Sequence, residues 1–485
     1  MEFPFGPWAP DLGENSPGIL MQATGAVPLD EGYGPFPGLV QATSATALSG
    51  APRGAFSYQT NDGAWRLVAG TATTIETMAS DFTWSSIDTG LTPTAGDDFC
   101  FERYGDYLLY TDTTDGMRQF DVETGGAASA VAAAGSPRWI FECGNILFAL
   151  DCLNRAGDRD NKLIRSCKRG DHTAWTGIGT DYQPLQTGGA LIWGGKLSDT
   201  SALILQQREV RLLQVGNVGS AKWGLQSVSK EFGAVGAKSV VAFDGAVYWL
   251  ATDGWRRFSL GGGLERIGAG LVDQTFLADL DQSDMSLVQG TIDPFRKCVL
   301  WRYKSRSCSS TEVFDDIIGY YWPKGRWFHL SVQTSALAFG SEAAITWDSF
   351  SGTWDGADVA WDSRALSGGQ PLLGAFNDDF VFGYFAGGSM AATLETSIAH
   401  SGASGLINWA DPVDDAAGGT LELGVKNSLS DTTTWKTGAA KVASGRVPLR
   451  GRGKNIGFRR NIAASETWTY ARGVDHVVAS GGGVR

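Results

Sequence analysis

The stretch from Ser239 to Leu260 reads SVVAFDGAVYWLATDGWRRFSL. Its apolar and aromatic residues come in runs of strand length, and Asp253-Gly254 between two of them accepts the positive φ of a two-residue hairpin. The same pattern of short strand, turn with Gly or Asp, and second aromatic strand recurs along the chain. Its onsets are Ala55 (AFSYQTNDGAWRLVAG), Asp98 (DFCFERYGDYLLYTD), Arg138 (RWIFECGNILFALD), Thr187 (TGGALIWGGKLSD), Ser239 and Leu287 (LVQGTIDPFRKCVLWRYKS). Successive onsets lie 43, 40, 49, 52 and 48 residues apart. Four short strands with three turns fill about 40 to 50 residues, the size of one β-propeller blade. In YYWPKGRWFHL, Pro323-Lys324-Gly325 supplies a further turn, Pro setting φ and Gly permitting the reversal. A β-sandwich shares the alternation but not the regular interval, so the sequence predicts an all-β chain with a propeller of six to seven blades over residues 51–345.

Outward from the propeller the pattern changes. Residues 1–50 are rich in Pro and Gly (PFGPWAPDLGENSPG, GYGPFPGLV) and hold no sustained period. Such a segment cannot order itself, and Trp8, Tyr33 and Phe36 are too apolar to leave in water, so an extended arm lying on its own domain or on a neighbour is expected. Within residues 346–389, TWDSFSGTWDGADVAWDS repeats Trp-Asp every seven residues, at Trp347, Trp354 and Trp361. This is neither the once-per-blade Trp-Asp of WD repeats nor a heptad seam, because Gly352 and Gly356 interrupt it. Its place between propeller and C-terminal region predicts a linker whose three Trp are inter-domain anchors. LLGAFNDDFVFGYFAG then reads as two returning strands, and residues 390–485 alternate without the blade interval, as expected for a β-sandwich or barrel.

Composition bounds the function. A 43% hydrophobic and 19% charged chain is folded, and Gly at 65 of 485 without a collagen period points to many tight turns. A net charge of −13 argues against wide phosphate binding, since an acidic surface repels a polyanion, which is useful only where DNA must slide and not stick. No apolar run reaches the roughly 18 residues of a membrane span, and the Met-Glu-Phe-Pro start lacks a signal-peptide pattern, so no membrane contact and no signal-dependent export are expected. Cys100, Cys143, Cys152, Cys167, Cys298 and Cys308 form no C-x-x-C pair, and the four His form no metal-binding set, so reduced, mostly buried thiols and no zinc are expected.

Motifs for chemistry mostly fail on inspection. TNDGAWRL (Thr60 to Leu67) partly resembles the Asp box of sialidase-type propellers, itself a folding device. GGALIWGGKL lacks the first Gly and the hydroxyl of a phosphate loop, and the run from Asp158 has Arg169 where a calcium loop needs a carboxylate. The pairs Asp97-Asp98, Asp315-Asp316, Asp378-Asp379 and Asp414-Asp415 are adjacent, and neighbours on a strand point to opposite faces, which does not suit a glycosidase. No G-x-S-x-G or H-E-x-x-H occurs, and neither enzyme activity nor a cofactor is expected. The one basic cluster, GRVPLRGRGKNIGFRR, brings Arg446, Arg450, Arg452, Lys454, Arg459 and Arg460 within sixteen residues. It reads as a contact for DNA or an acidic partner subunit, or as an edge strand protected by charge, with alternation placing only half of it on one face.

The order of phrases resembles a family: the nozzle, tail-hub or packaged-DNA stabilisation proteins of short-tailed bacteriophages. The matching residues are GYGPFPGLV, IRSCKRGDHTAWTG at Ile164, DGAVYWLATDGWRRFSLGGGLERIG at Asp244, GTIDPFRKCVLWRY at Gly290, IIGYYWPKGRWFHL at Ile317, the Trp-Asp run, LLGAFNDDFVFGYFAG at Leu372 and GFRRNIAASETWTYARGVDHVVA at Gly457. Together they span nearly the whole chain. The resemblance implies a virion protein, made in the host cytoplasm, that rings in six copies below portal and adaptor, meets tail fibre or needle proteins, and touches packaged double-stranded DNA transiently while retaining or gating it. Two other classes fit the residues: a carbohydrate-binding or glycoside-cleaving propeller, on the strength of 18 Trp and many Asp, and a cellular propeller scaffold.

Overall fold

The computed structural model describes residues 2–41, 44–61, 63–79, 81–218, 221–341, 371–442 and 444–479. The stretch Ser239 to Leu260 supplies three of four antiparallel neighbours, Val241–Phe243, Ala246–Ala251, Gly254–Ser259 and, beyond it, Gly263–Arg266. Its first turn, Asp244-Gly245, has φ of 47° and 72°, the pair of positive values that matches strand twist in a two-residue hairpin. Ala251 pairs with Gly254, so the second turn is Thr252-Asp253, one residue earlier than expected.

All six residues of Ala246–Ala251 are buried, because this strand has a neighbouring blade on each face. Val247, Trp249 and Ala251 pack with Trp193, Leu203 and Leu205 of the preceding blade. The alternate residues Ala246, Tyr248 and Leu250 pack with Trp301, Tyr320 and Trp327 of the following one. A strand covered on both faces reads as an unbroken apolar run even though its side chains alternate.

Six four-stranded antiparallel sheets repeat this unit, five of them over residues 55–89, 100–130, 139–184, 191–229 and 241–266. A further four-strand unit, Gln289–Asp293 through Arg326–Thr334, is the start of a larger sheet. Each of the six onsets read from the sequence falls within four residues of a blade's first strand. The last blade comprises Ala336–Ser341, Pro371–Phe376 and Phe382–Ser389, and its fourth strand is Pro37–Gln41 from the N-terminal arm. First strands touch in order round the ring, and Ala336–Ser341 meets Ala55–Gln59 to close it.

One expectation changes here. The propeller does not stop at residue 345, since its closing blade uses residues on both sides of 342–370. Trp347, Trp354 and Trp361 lie outside the described residues, but the flanking strands are hydrogen-bonded neighbours, with Ser341 opposite Pro371. The expected anchor role of the three Trp thus falls on residues outside those described, and what is described is that the strands on either side belong to one blade.

The arm connects propeller and C-terminal region. Leu20–Thr24 lies between Arg326–Thr334, where Thr24 faces His329 in a parallel bridge, and Ala392–Thr396, to which it is antiparallel. The sixth blade thus continues into a 14-stranded sheet that includes the long strands Ala399–Asp414 and Val447–Ile462. Of the two forms expected for the C-terminal region, sandwich or barrel, it takes the latter in part, as a curled half-barrel sheet. Trp8, Leu20 and Tyr33 of the arm share one core with Trp255, Trp301 and Trp327 of the propeller and Leu394, Leu423 and Phe458 of the curled sheet. Asp11 accepts hydrogen bonds from the backbone N–H of Gln274 and Thr275 at 2.8 and 2.9 Å, capping the helix Asp273–Asp279.

Gly25 ends the stitch with φ of 72°, its N–H donating to the His329 carbonyl at 2.8 Å. A Cβ there would lie 1.9 Å from the Ala391 carbonyl oxygen. Gly25→Ala is expected to lower stability by more than about 1 kcal/mol, through both the clash and the left-handed backbone. Asp11→Ala, which removes only a cap, should cost about 0.5–2 kcal/mol. Thermal unfolding of the two variants checks this; a Gly25→Ala protein as stable as the parent contradicts the stitch.

Candidate interaction surfaces

The basic cluster occupies Val447–Ile462 and the residue before it, and the strand's alternation divides it. Val447, Leu449, Gly451 and Gly453 face inward, while Arg446, Arg450, Arg452 and Lys454 are exposed on the other side. Arg446 lies with its guanidinium 3.9 Å from the centre of the Trp409 ring and 3.7 Å from Asp411. The last two cations do different work. Arg459 pairs with Glu395 at 2.6 Å and Glu422 at 3.1 Å, bonds that tie three adjacent strands. Arg460 is buried in a two-pronged pair with Asp414, at 2.8 and 3.1 Å, and also donates to the Gly418 carbonyl. Four of the six cations, not three, share the outer face, and Arg459 and Arg460 hold the sheet together.

Of the carboxylate pairs only Asp315-Asp316 lies within a strand, and its two side chains split as alternation requires. Asp315 accepts from Ser305 N–H and Oγ, whereas Asp316 lies 3.1 Å from His329 Nε2. Asp414 holds Arg460, whereas Asp415 accepts from the backbone N–H groups of Thr469 and Tyr470. Asp378 and Asp379 sit in a turn organised by Asn377, whose Oδ1 accepts from the N–H of Asp379 and of Val381. Of TNDGAWRL, Trp65 to Leu67 begin the strand Trp65–Gly70, and Leu191–Ser198, which carries the Gly-Gly-Lys, is a strand.

Asp97 and Asp98 matter in a way their adjacency did not suggest. Both precede the first strand of the second blade, at the mouth of the propeller's axial hole. Asp97 pairs with Arg138 of the third blade at 2.8 Å, and Asp98 with Lys238, which leads into the fifth blade, at 2.9 Å. Second and fifth blades stand on opposite sides of the ring, so the Asp98 pair spans the mouth. Beside it lies a cavity of about 250 Å³ lined by Trp139, Ile192, Gly236 and Ser286 among others. Farther along the inner strands, Glu102, Glu142 and Lys196 come from the first strands of three successive blades, with Lys196 3.6 Å from Glu142 and 2.8 Å from the exposed Asp199. Burial, reinforced by the charge of Glu142, pushes the Glu102 carboxyl up to about 8, so it is protonated at neutral pH.

The six cysteines are free, and all but Cys308 are buried. Burial pushes the Cys167 thiol up to about 11 and the Cys143 thiol up to about 12. Among the described residues, no helix is long and apolar enough to cross a membrane.

A third feature was missed in the sequence. Asn154, Arg155, Arg165, Trp175, Asp181 and Tyr182 line a cleft of about 600 Å³ on the third blade. Its one sequence signal was the phrase IRSCKRGDHTAWTG, which includes Arg165 and Trp175.

No family model matches the chain. No curated protein matches it either. Solved structures similar to it include a streptogramin B lyase (13% identity, 61% of this chain and 90% of that one, TM-score 0.39). Others are BamB from Moraxella catarrhalis (11%, 71% and 99%, 0.36) and a quinonprotein alcohol dehydrogenase-like protein from Bacteroides thetaiotaomicron (14%, 57% and 65%, 0.37). The chain thus spans just under two thirds of the length of the last of these. At such scores the likenesses carry nothing about what this chain binds or does.

Two outcomes follow from the side chains. Arg460→Ala leaves the buried Asp414 with Lys441, 3.5 Å away, in place of its two-pronged partner and is expected to cost about 3 kcal/mol, whereas exposed Arg450→Ala should stay within about 0.5 kcal/mol; chemical denaturation separates them. Glu102 has a folded value of about 8 against 4.5 for the free side chain. Its contribution is therefore full below pH 4.5 and lost as pH rises through 8. Glu102→Gln has no proton to lose, so its stability advantage over the parent should grow from pH 5 to pH 9, by up to a few kcal/mol. Melting curves at the two pH values decide it, and an advantage that does not grow contradicts the enclosure of Glu102.

Proposed function

We propose that this chain is a structural subunit of a bacteriophage tail: a nozzle protein that joins copies of itself in a ring below portal and adaptor, continues the DNA channel, and helps retain or gate the packaged genome. The ordered run of phrases resembling that family motivates the reading. The structural observation that carries it is the row of Arg446, Arg450, Arg452 and Lys454 on one outer face of a chain with net charge −13.

Arg450, Arg452 and Lys454 stand at alternate positions, about 6.7 Å apart along the strand. So short a row on an acidic body suits transient contact with a polyanion, because each neutralised phosphate lowers the salt exponent by only about 0.9. The axial hole of the propeller is bridged at its mouth by Asp98 and Lys238. In this reading DNA runs between subunits, past the curled sheet, and not through a propeller. The arm, already woven into two parts of its own chain, makes each subunit one rigid wedge for ring building. Adaptor and fibre or needle proteins would meet the two ends of such a ring, and the virion is its location.

Glycan binding is the second reading, and the cleft on the third blade is the observation that favours it.

Negative-stain microscopy of the purified protein and of virions tests the first reading: six-fold rings at the tail are expected. A protein that stays monomeric at all concentrations and is missing from virions overturns it. Changing Arg450, Arg452 and Lys454 together to Gln should leave the fold intact and reduce the salt dependence of binding to a duplex by about one exponent unit for each phosphate that is no longer neutralised.

A further inference from the structure

The third blade departs from its neighbours in the long excursion 167–180 between Arg159–Ser166 and its outermost strand, Asp181–Pro184. The cleft of about 600 Å³ lies between this excursion and the turn at residues 154–158. Asn154 holds that turn by accepting from the N–H groups of Ala156 and Asp158, at 2.8 and 3.0 Å, and Arg155 stands exposed at its tip. The Arg155 guanidinium lies over the Tyr182 ring, 5.0 Å from its centre. Arg165 lies 5.7 Å from the centre of the Trp175 ring. Trp175 is buried, its indole N–H donating to the His172 carbonyl at 2.7 Å.

Arg165 is held in place by carbonyl groups. It donates to Ala134 at 2.8 Å, to Ala133 at 2.9 Å and to Trp175 at 3.5 Å. Carbonyls orient a guanidinium but do not cancel its charge. Among the described residues, no ion pair within 4.0 Å includes Arg155 or Arg165. Two positioned cations without an acidic partner, inside one cleft of an acidic chain, form a place for an anionic group, and the guanidinium fork matches a carboxylate or phosphate.

The rest of the lining selects against a bare polyanion. Asp181 stands exposed on the same wall, where its carboxylate repels a second negative charge and is able to accept from a ligand hydroxyl. The volume falls within the range of about 300–1,000 Å³ usual for small-ligand sites, and the Tyr182 ring offers an apolar face at one side.

We propose that this cleft binds an anionic sugar unit, its carboxylate or phosphate held by Arg155 and Arg165 and its hydroxyls by Asp181. The site is built within one chain, so it stands whether or not the protein forms a ring, and the ring test and this one fail separately.

The test titrates the full chain with D-glucuronate, glucose 6-phosphate, glucose and inorganic phosphate, following tryptophan fluorescence and calorimetry at fixed ionic strength. Glucuronate, glucose 6-phosphate or both should saturate while glucose and inorganic phosphate bind at least tenfold more weakly; the stronger of the two sugars tells carboxylate from phosphate. Arg155→Ala is the primary variant, because Arg165 also ties the carbonyls of Ala133 and Ala134. It should keep the parental melting temperature and lose at least tenfold in affinity. The proposal is overturned by no saturable binding, by glucose or inorganic phosphate binding as well as the charged sugars, or by unchanged affinity in Arg155→Ala.

Discussion

The structure depends on one strand of five residues. Leu20–Thr24 fills the space between the outer strand of the sixth blade and the first strand of the curled sheet, and supplies each with hydrogen-bond partners. Without it both neighbours would present an unpaired edge to a buried region, where unmet backbone groups are costly. With it, one apolar core runs from the propeller through the arm into the C-terminal strands. The arm's other strand, Pro37–Gln41, closes the ring by completing the last blade. Residues that cannot fold alone are thus the fastening of everything that can.

The blade repeat was legible because each blade repeats the same local chemistry, and strand runs with Gly or Asp turns survive in the sequence as a period. Trp8, Tyr33 and Phe36 also announced a buried arm, and all three are buried. What was not legible was pairing. Nothing local marks Leu20–Thr24 as the partner of strands some 300 to 370 residues away. For the same reason the closing blade was not visible as a unit: its first two strands stand on either side of residues 342–370, and its fourth comes from the chain's other end. The cleft on the third blade escaped notice because its arginines are spaced irregularly and meet only when a turn and an excursion fold side by side.

The basic cluster shows how one sequence signal can carry two kinds of residue. Alternation along Val447–Ile462 puts Arg450, Arg452 and Lys454 outward, but it does not explain Arg460, which has the same parity and is buried. The difference is the company the strand keeps. Up to Gly453 one face is open, whereas beyond Asn455 the strand is flanked by Thr420–Lys426 on one edge and Ala392–Thr396 on the other, and Asp414 is buried within bonding distance. A cation in such a place is tolerable only with a carboxylate already positioned, and Asp414 is that carboxylate.

The propeller itself is arranged as a solid block. One charged pair, Asp98 with Lys238, bridges its mouth, and desolvation beside the Glu142 charge raises the Glu102 carboxyl to about 8. An ion pair between opposite blades stands in the way of a highly charged polymer at that mouth. In the proposed reading a passage for DNA is therefore assigned to outer surfaces, with the exposed row on the curled sheet as its contact. The same division leaves the outer edge of the third blade, with Arg155 and Arg165, free for a separate and smaller ligand.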